Sequence, residues 1–120
     1  MSIRLGPEAA FQVEVLYYLR SKGRGLLIRA GAEGNKRTWA EASRDKLLGV
    51  LPGWPDLMIF KAAGPYLGLA LELKSNSGRL QESQKEKLLQ LSEVGWKTAV
   101  IRPKDDWKGV IDAYFEKTEP

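Results

Sequence analysis

Asp56, Glu72 and Lys74 have the types and the spacing needed for metal-dependent phosphate chemistry. Glu72 and Lys74 lie two residues apart in the apolar segment 66–74. Because side chains alternate between the faces of a strand, both charges project from one face, opposite Leu69, Leu71 and Leu73. Burying such charges is costly unless a metal ion, an ion partner or water compensates. The simpler alternative is that Glu72 and Lys74 lie on an exposed sheet face.

Asp56 supplies a second carboxylate at the start of the apolar segment 56–60, directly after Pro55. The short connection through residues 63–65 predicts that segments 56–60 and 66–74 pair as antiparallel strands. Asp56 and Glu72 then converge at one end of the sheet, where a hard cation such as Mg²⁺ or Mn²⁺ would relieve their repulsion. A lysine beside that cation can orient or help to deprotonate water. These groups together are suited to hydrolysing a phosphodiester.

The composition excludes several other kinds of catalytic site. The 120 residues include no cysteine and no histidine, which removes disulfides, thiolate nucleophiles and the usual zinc ligands. Nineteen Lys and Arg against 15 Asp and Glu give a net charge of +4, a mild preference for polyanionic partners. We expect one domain over residues 1–120, without a membrane span, in the cytoplasm of a bacterial or phage-infected cell.

The elements that position these groups follow from hydrophobic periodicity and from turn residues. Helices are predicted over residues 7–21, 80–94 and 105–115, and strands over residues 26–30, 56–60, 66–74 and 98–101. The strand, helix, strand order from residue 69 to residue 101 predicts a right-handed crossover with parallel pairing. The expected fold is therefore α/β, with a mixed β-sheet flanked by helices.

Glu8 and Gln84 lie on the inward sides of predicted helices. Glu8 shares a side with Phe11 and Val15, whereas Glu14 points away from it. Gln84 falls among Leu80, Leu88 and Leu91. Because buried polar groups need partners, this position favours a site role for Gln84 over that of a helix-surface amide.

A basic, glycine-containing segment covers residues 31–49, with a helical turn expected around residues 40–47. Long polar segments of this kind either contact a ligand or are solvated surface loops, and the sequence leaves both open. The predicted DNA-phosphate contacts in and beside it are Arg29, Lys36, Arg37, Arg44 and Lys46.

The order of several motifs resembles the VRR-NUC domain of the PD-(D/E)xK nuclease superfamily, which has a restriction-endonuclease-like fold. The resemblance covers nearly the whole chain and rests on residues 7–12, 53–56, 72–74, 84 and 95–97. It implies that Lys74 is the catalytic lysine, that Gln84 acts near the site, and that Mg²⁺ or Mn²⁺ is held by Glu8, Asp56, Glu72 and the Leu73 carbonyl. Trp54 departs from the pattern, which has a smaller aliphatic residue at this position.

The resemblance implies a magnesium-dependent endonuclease of DNA. Stand-alone members resemble Holliday junction resolvases and act as homodimers, so branched DNA such as a four-way junction is the expected substrate. A site-specific restriction enzyme is disfavoured because the chain has little room for a base-reading module. Two alternatives remain open, a non-catalytic nucleic-acid-binding module of the same fold and a small α/β domain in which Glu72 and Lys74 form a surface salt bridge.

Overall fold

The computed structural model describes residues 3–31 and 38–117, which form four helices and four strands. In chain order they are α1 (Pro7–Arg20), β1 (Ile28–Ala30), α2 (Trp39–Leu47), β2 (Leu57–Ile59), β3 (Leu69–Leu73), α3 (Glu82–Glu93), β4 (Lys97–Ile101) and α4 (Trp107–Glu116). Within this part of the chain, none of the helices has the length and apolar character to cross a membrane.

The four strands form one mixed sheet in the order β1, β2, β3, β4. The β1–β2 and β2–β3 pairs are antiparallel, and the β3–β4 pair, joined through α3, is parallel. Leu57 of β2 lies opposite Leu71 of β3, and extending this register by one residue places Asp56 opposite Glu72. The predicted mixed sheet flanked by helices is confirmed, with the two carboxylates at the same end of neighbouring strands.

The element boundaries differ from the prediction where side chains or turns intervene. The first residues of segment 66–74 lie outside β3, because Tyr66 pairs with Ala63 in an isolated bridge that closes the turn. The third helix begins at Glu82 rather than at residue 80, with Gln81 as its N-cap. Where the sequence predicted a single helical turn, the structure has a nine-residue helix, α2. The Glu41 N–H in its first turn donates to the Thr38 hydroxyl at 3.2 Å.

The strand β3 separates two apolar layers. Its leucines pack with residues of α1 and α4 in the larger cluster, which includes Phe11, Val15, Leu19, Leu69, Leu71, Leu73, Trp107 and Ile111. Its other face carries Ala70, which packs with Met58, with Leu91 of α3 and with two tryptophans. Because side chains alternate, Glu72 shares the Ala70 face, and it is only 2% exposed. The exposed-face alternative for Glu72 is therefore wrong.

A polar bridge ties α1 to α4 at the surface. The Tyr18 hydroxyl donates to Asp112 Oδ1 at 2.5 Å, and Lys22 forms a salt bridge with the same carboxylate. Hydrogen bonds from Lys22 and Tyr18 lower the pKa of Asp112 below 3.8, and the carboxylate raises the pKa of Lys22 above 10.5 and that of Tyr18 above 10.0. The Asp112 contribution to stability is thus present above its unfolded pKa and is lost as pH falls through its folded pKa.

We predict that Asp112→Asn lowers the thermal unfolding midpoint at neutral pH, because asparagine accepts the tyrosine hydrogen bond but carries no charge for Lys22. The difference from wild type should shrink as pH falls below the ordinary Asp value of 3.8, where wild-type Asp112 also loses its charge. Circular dichroism melts over a pH series measure this, with Glu116→Gln on the same helix as control. A destabilisation by Asp112→Asn that is independent of pH would contradict the charged bridge.

Candidate active site

Asp56 and Glu72 reach one end of the sheet from neighbouring strands. Asp56 precedes β2 and is half-buried, and its Oδ2 accepts a hydrogen bond from the Leu73 N–H at 2.8 Å. This bond fixes the Asp56 side chain against β3, beside the strand position of Glu72. A backbone N–H of β3 therefore orients the carboxylate of Asp56, which itself precedes β2.

The Glu72 carboxylate is held by two side chains. The Gln84 amide donates from Nε2 to Glu72 Oε1 at 3.2 Å, and the Lys74 Nζ lies 3.8 Å from the same oxygen. The Lys74 side chain is itself only 13% exposed. An ammonium and an amide donor together offset the desolvation of a carboxylate that is almost completely buried.

Gln84 connects Glu72 to the start of α3. Its Oε1 accepts the Gln81 N–H at 2.9 Å, while its Nε2 donates to Glu72. Because the carbonyl oxygen is committed to a backbone donor, only the NH₂ end of the amide is available to face the carboxylate. The first turn of α3 thus sets the position of a group that orients Glu72.

The turn formed by residues 53–56 delivers Asp56 and packs directly on α3. Gly53 has a φ of +86°, and a Cβ at this position would overlap the Ser83 carbonyl. Only glycine satisfies both the conformation and the close approach. The elements that carry Asp56 and Gln84 are therefore in backbone contact with each other.

Lys87 is a buried residue near this turn that the sequence pattern alone did not indicate. It is 7% exposed, its Nζ lies 4.8 Å from the centroid of the Trp54 ring, and it donates to Gln90 Oε1 at 2.9 Å. The signal was available in part, since Lys87 lies three residues after Gln84 on one side of a helix. The cation–π contact gives Trp54, unusual by the family pattern, a partner on α3.

Glu8 is exposed in the first turn of α1. Within residues 3–31 and 38–117, no three acidic side chains lie close enough together to hold a single metal ion, so Glu8 does not form such a group with Asp56 and Glu72. Two carboxylates and the Leu73 carbonyl are nevertheless hard oxygen donors of the kind Mg²⁺ uses, since it is commonly bound by one or two carboxylates plus waters and substrate phosphates. The donor set fits the expected ion, and the role of Glu8 stays a prediction.

Three of the predicted DNA-contacting residues lie in the described part of the chain, on two of its elements. Arg29 of β1 and Arg44 and Lys46 of α2 are exposed, as phosphate contacts must be. Lys36 and Arg37 lie outside the described residues. Arg29 pairs in the sheet with Met58, two residues after Asp56, so this cation lies on the strand next to the one that follows the acid.

Known proteins match this arrangement along most of the chain. The family model of the VRR-NUC domain matches residues 20–105, a range that includes Asp56, Glu72, Lys74 and Gln84. A solved structure described as a VRR_NUC domain protein superposes with a TM-score of 0.76 at 28% identity, covering 98% of this chain and 94% of that chain. Among curated proteins, none matches.

We predict that Gln84→Glu lowers the free energy of unfolding at neutral pH by about 1 to 3 kcal/mol. Glutamate at this position can still accept the Gln81 N–H, but it replaces the donor to Glu72 with a second negative charge. The loss should diminish as pH falls and one carboxyl becomes protonated. Gln84→Met removes the donor but adds no charge, so its loss should depend less on pH than that of Gln84→Glu. Wild-type stability of Gln84→Glu at neutral pH, measured by denaturant unfolding, would contradict the contact.

Proposed function

The chain belongs to the VRR-NUC family of nuclease domains, and on that premise we propose that it is a Mg²⁺- or Mn²⁺-dependent endonuclease that hydrolyses phosphodiester bonds of DNA. The observation that supports the proposal is the buried Glu72 carboxylate, one oxygen of which contacts both the Lys74 ammonium and the Gln84 amide, at the sheet end that Asp56 also reaches. Burying a carboxylate at this position costs free energy of folding, and a role in catalysis would explain why it is there.

Asp56, Glu72 and the Leu73 carbonyl are the groups that would hold the ion, with Glu8 as a further candidate ligand. When bound, the ion supplies Lewis-acid stabilisation of the negative charge that develops on the phosphate. Lys74 adds a fixed positive charge beside the reacting phosphate and can exchange a proton with the attacking water. Gln84 keeps the Glu72 carboxylate in one orientation during this sequence.

The proposed substrate is branched DNA, such as a four-way junction, and the proposed active form is a homodimer. Support comes from the resemblance to stand-alone family members, which are similar to Holliday junction resolvases. Two copies related by a two-fold axis would present two active sites to the two-fold-symmetric strands of a junction. A non-catalytic nucleic-acid-binding module is the competing function, and it differs in requiring no metal.

The decisive measurement is cleavage of a labelled four-way junction beside matched linear duplex and flap substrates, with Mg²⁺, Mn²⁺ or a chelator. We expect metal-dependent cleavage, with symmetric nicking of the junction. Lys74→Ala and Asp56→Asn should each lower the cleavage rate by about 100-fold or more, because the first removes a general acid or base and the second removes an ion ligand. Lys85→Ala, which removes an exposed lysine from α3, is the matched control and should cleave normally.

Binding without cleavage under every metal condition would replace this proposal with the non-catalytic module. Equal cleavage of all three substrates would support the nuclease activity and contradict the preference for branched DNA. A monomeric mass by light scattering at micromolar concentration would contradict the proposed homodimer.

If Arg29, Arg44 and Lys46 neutralise DNA phosphates, the triple alanine variant should bind all DNA sequences more weakly. The slope of log K against log salt should fall by about 0.9 for each phosphate of duplex DNA that the variant no longer neutralises. Fluorescence anisotropy in the presence of chelator measures binding apart from cleavage, with Lys85→Ala again as control. An unchanged salt slope would exclude these residues from the DNA interface.

A further inference from the structure

A single arginine spans the turn that links β3 to α3. Arg102 follows β4, and its Nη1 donates to the Ser75 carbonyl at 2.7 Å and to the Gly78 carbonyl at 2.6 Å. The Gly78 N–H also donates to the Ser75 carbonyl, at 3.2 Å. Charge-assisted bonds of this kind are about twice as strong as neutral ones. One guanidinium nitrogen therefore holds both ends of the turn formed by residues 75–78, and we call this pair of hydrogen bonds the brace.

The connection that carries Arg102 is itself folded and is tied to the same turn a second time. The Arg102 N–H donates to Asp105 Oδ2 at 3.1 Å, and the Asp105 N–H donates to the Arg102 carbonyl at 3.0 Å. The Lys104 N–H donates to Asn76 Oδ1 at 2.9 Å. Hydrogen bonds thus fix the backbone of the segment that carries Arg102.

The turn lies between two groups that hold Glu72. It begins directly after Lys74, whose own N–H donates to the Ile101 carbonyl at 3.0 Å. It ends three residues before Gln81, whose N–H is bound by Gln84. The conformation of residues 75–78 consequently sets where Lys74 and the first turn of α3 lie relative to each other.

We propose that Arg102 is a positioning residue for this active site, because it fixes the turn that keeps Lys74 and Gln84 together on Glu72. The inference rests on the proposed nuclease function. Arg102 acts through main-chain carbonyls, and the nitrogen that makes these bonds has its hydrogens directed at the protein. A small displacement of catalytic groups is enough to slow an enzyme strongly, so loss of the brace should affect the chemical step more than DNA binding.

The test compares Arg102→Met, which keeps length but removes every donor, with Arg102→Lys, which keeps the charge but has no planar fork. Lys104→Met is the matched control, because it removes a neighbouring cation and leaves the main-chain bond to Asn76 intact. For metal-dependent DNA cleavage, we expect Arg102→Met to lower kcat about 10-fold or more with KM within about twofold, Arg102→Lys to recover part of kcat, and Lys104→Met to resemble wild type.

A raised KM with unchanged kcat would instead identify Arg102 as a DNA contact and overturn the proposal. Wild-type kinetics in Arg102→Met would overturn it as well. Asn76→Ala, which removes the second tie to the turn, provides an independent variant if Arg102→Met does not fold, and it should lower kcat in the same direction. Unchanged kcat in a folded Asn76→Ala alongside an unfolded Arg102→Met would count against the brace.

Hydrogen exchange of the full chain separates failure of the brace from failure of the nuclease assignment, since it needs no substrate. Arg102→Met should accelerate amide exchange in residues 74–84 while β2 stays protected. Unchanged exchange in that range overturns the brace whether or not the wild type cleaves DNA. Accelerated exchange, together with a wild type that cleaves no DNA, supports the brace and rejects the nuclease function alone.

Discussion

The burial of one carboxylate in a central strand constrains most of this structure. Glu72 is 2% exposed, and a charge removed from water in this way must have partners close by. One partner, Lys74, directly follows the same strand, and the other, Gln84, comes from α3. The helix must therefore cover the Ala70 face of the sheet at a fixed height along β3, which the β3–α3–β4 crossover provides.

That requirement extends to the segments around α3. The turn before β2 approaches the helix so closely that only Gly53 fits, and Trp54 beside it packs under Lys87. On the other side, Arg102 holds the turn that enters the helix. The helix is thus located by backbone contact, by a cation–π contact and by charge-assisted hydrogen bonds, in addition to the apolar contacts of Leu91. The turn before β2, the Trp54–Lys87 contact and the turn held by Arg102 therefore all help to position the groups around Glu72.

Local periodicity was enough to predict the parts of the site that lie on adjacent strands. Alternation along segment 66–74 placed Glu72 and Lys74 on one face, and the short connection brought Asp56 to the same end of the sheet as Glu72, in agreement with the register. The contacts of Arg102 and Lys87 could not be predicted in this way, because they join segments whose packing depends on the whole fold. The helical pattern also predicted that Glu8 faces inward, but Glu8 is exposed, because a direction around a helix does not fix the distance to residues on another element.

The charges of the described site bear on the divalent cation that we propose for it. Asp56 and Glu72 contribute two negative charges and Lys74 one positive charge, which leaves a net charge of −1 where the phosphate of the proposed substrate would approach. Adding a divalent cation changes the sum to +1, so the same groups that repel a phosphate then attract it. If Glu8 joined the ligands, the sum with one cation would be zero, and more of the attraction would have to come from Lys74 and from basic residues outside the cluster. The number of acids at the cation therefore determines how strongly the site itself can attract the phosphodiester.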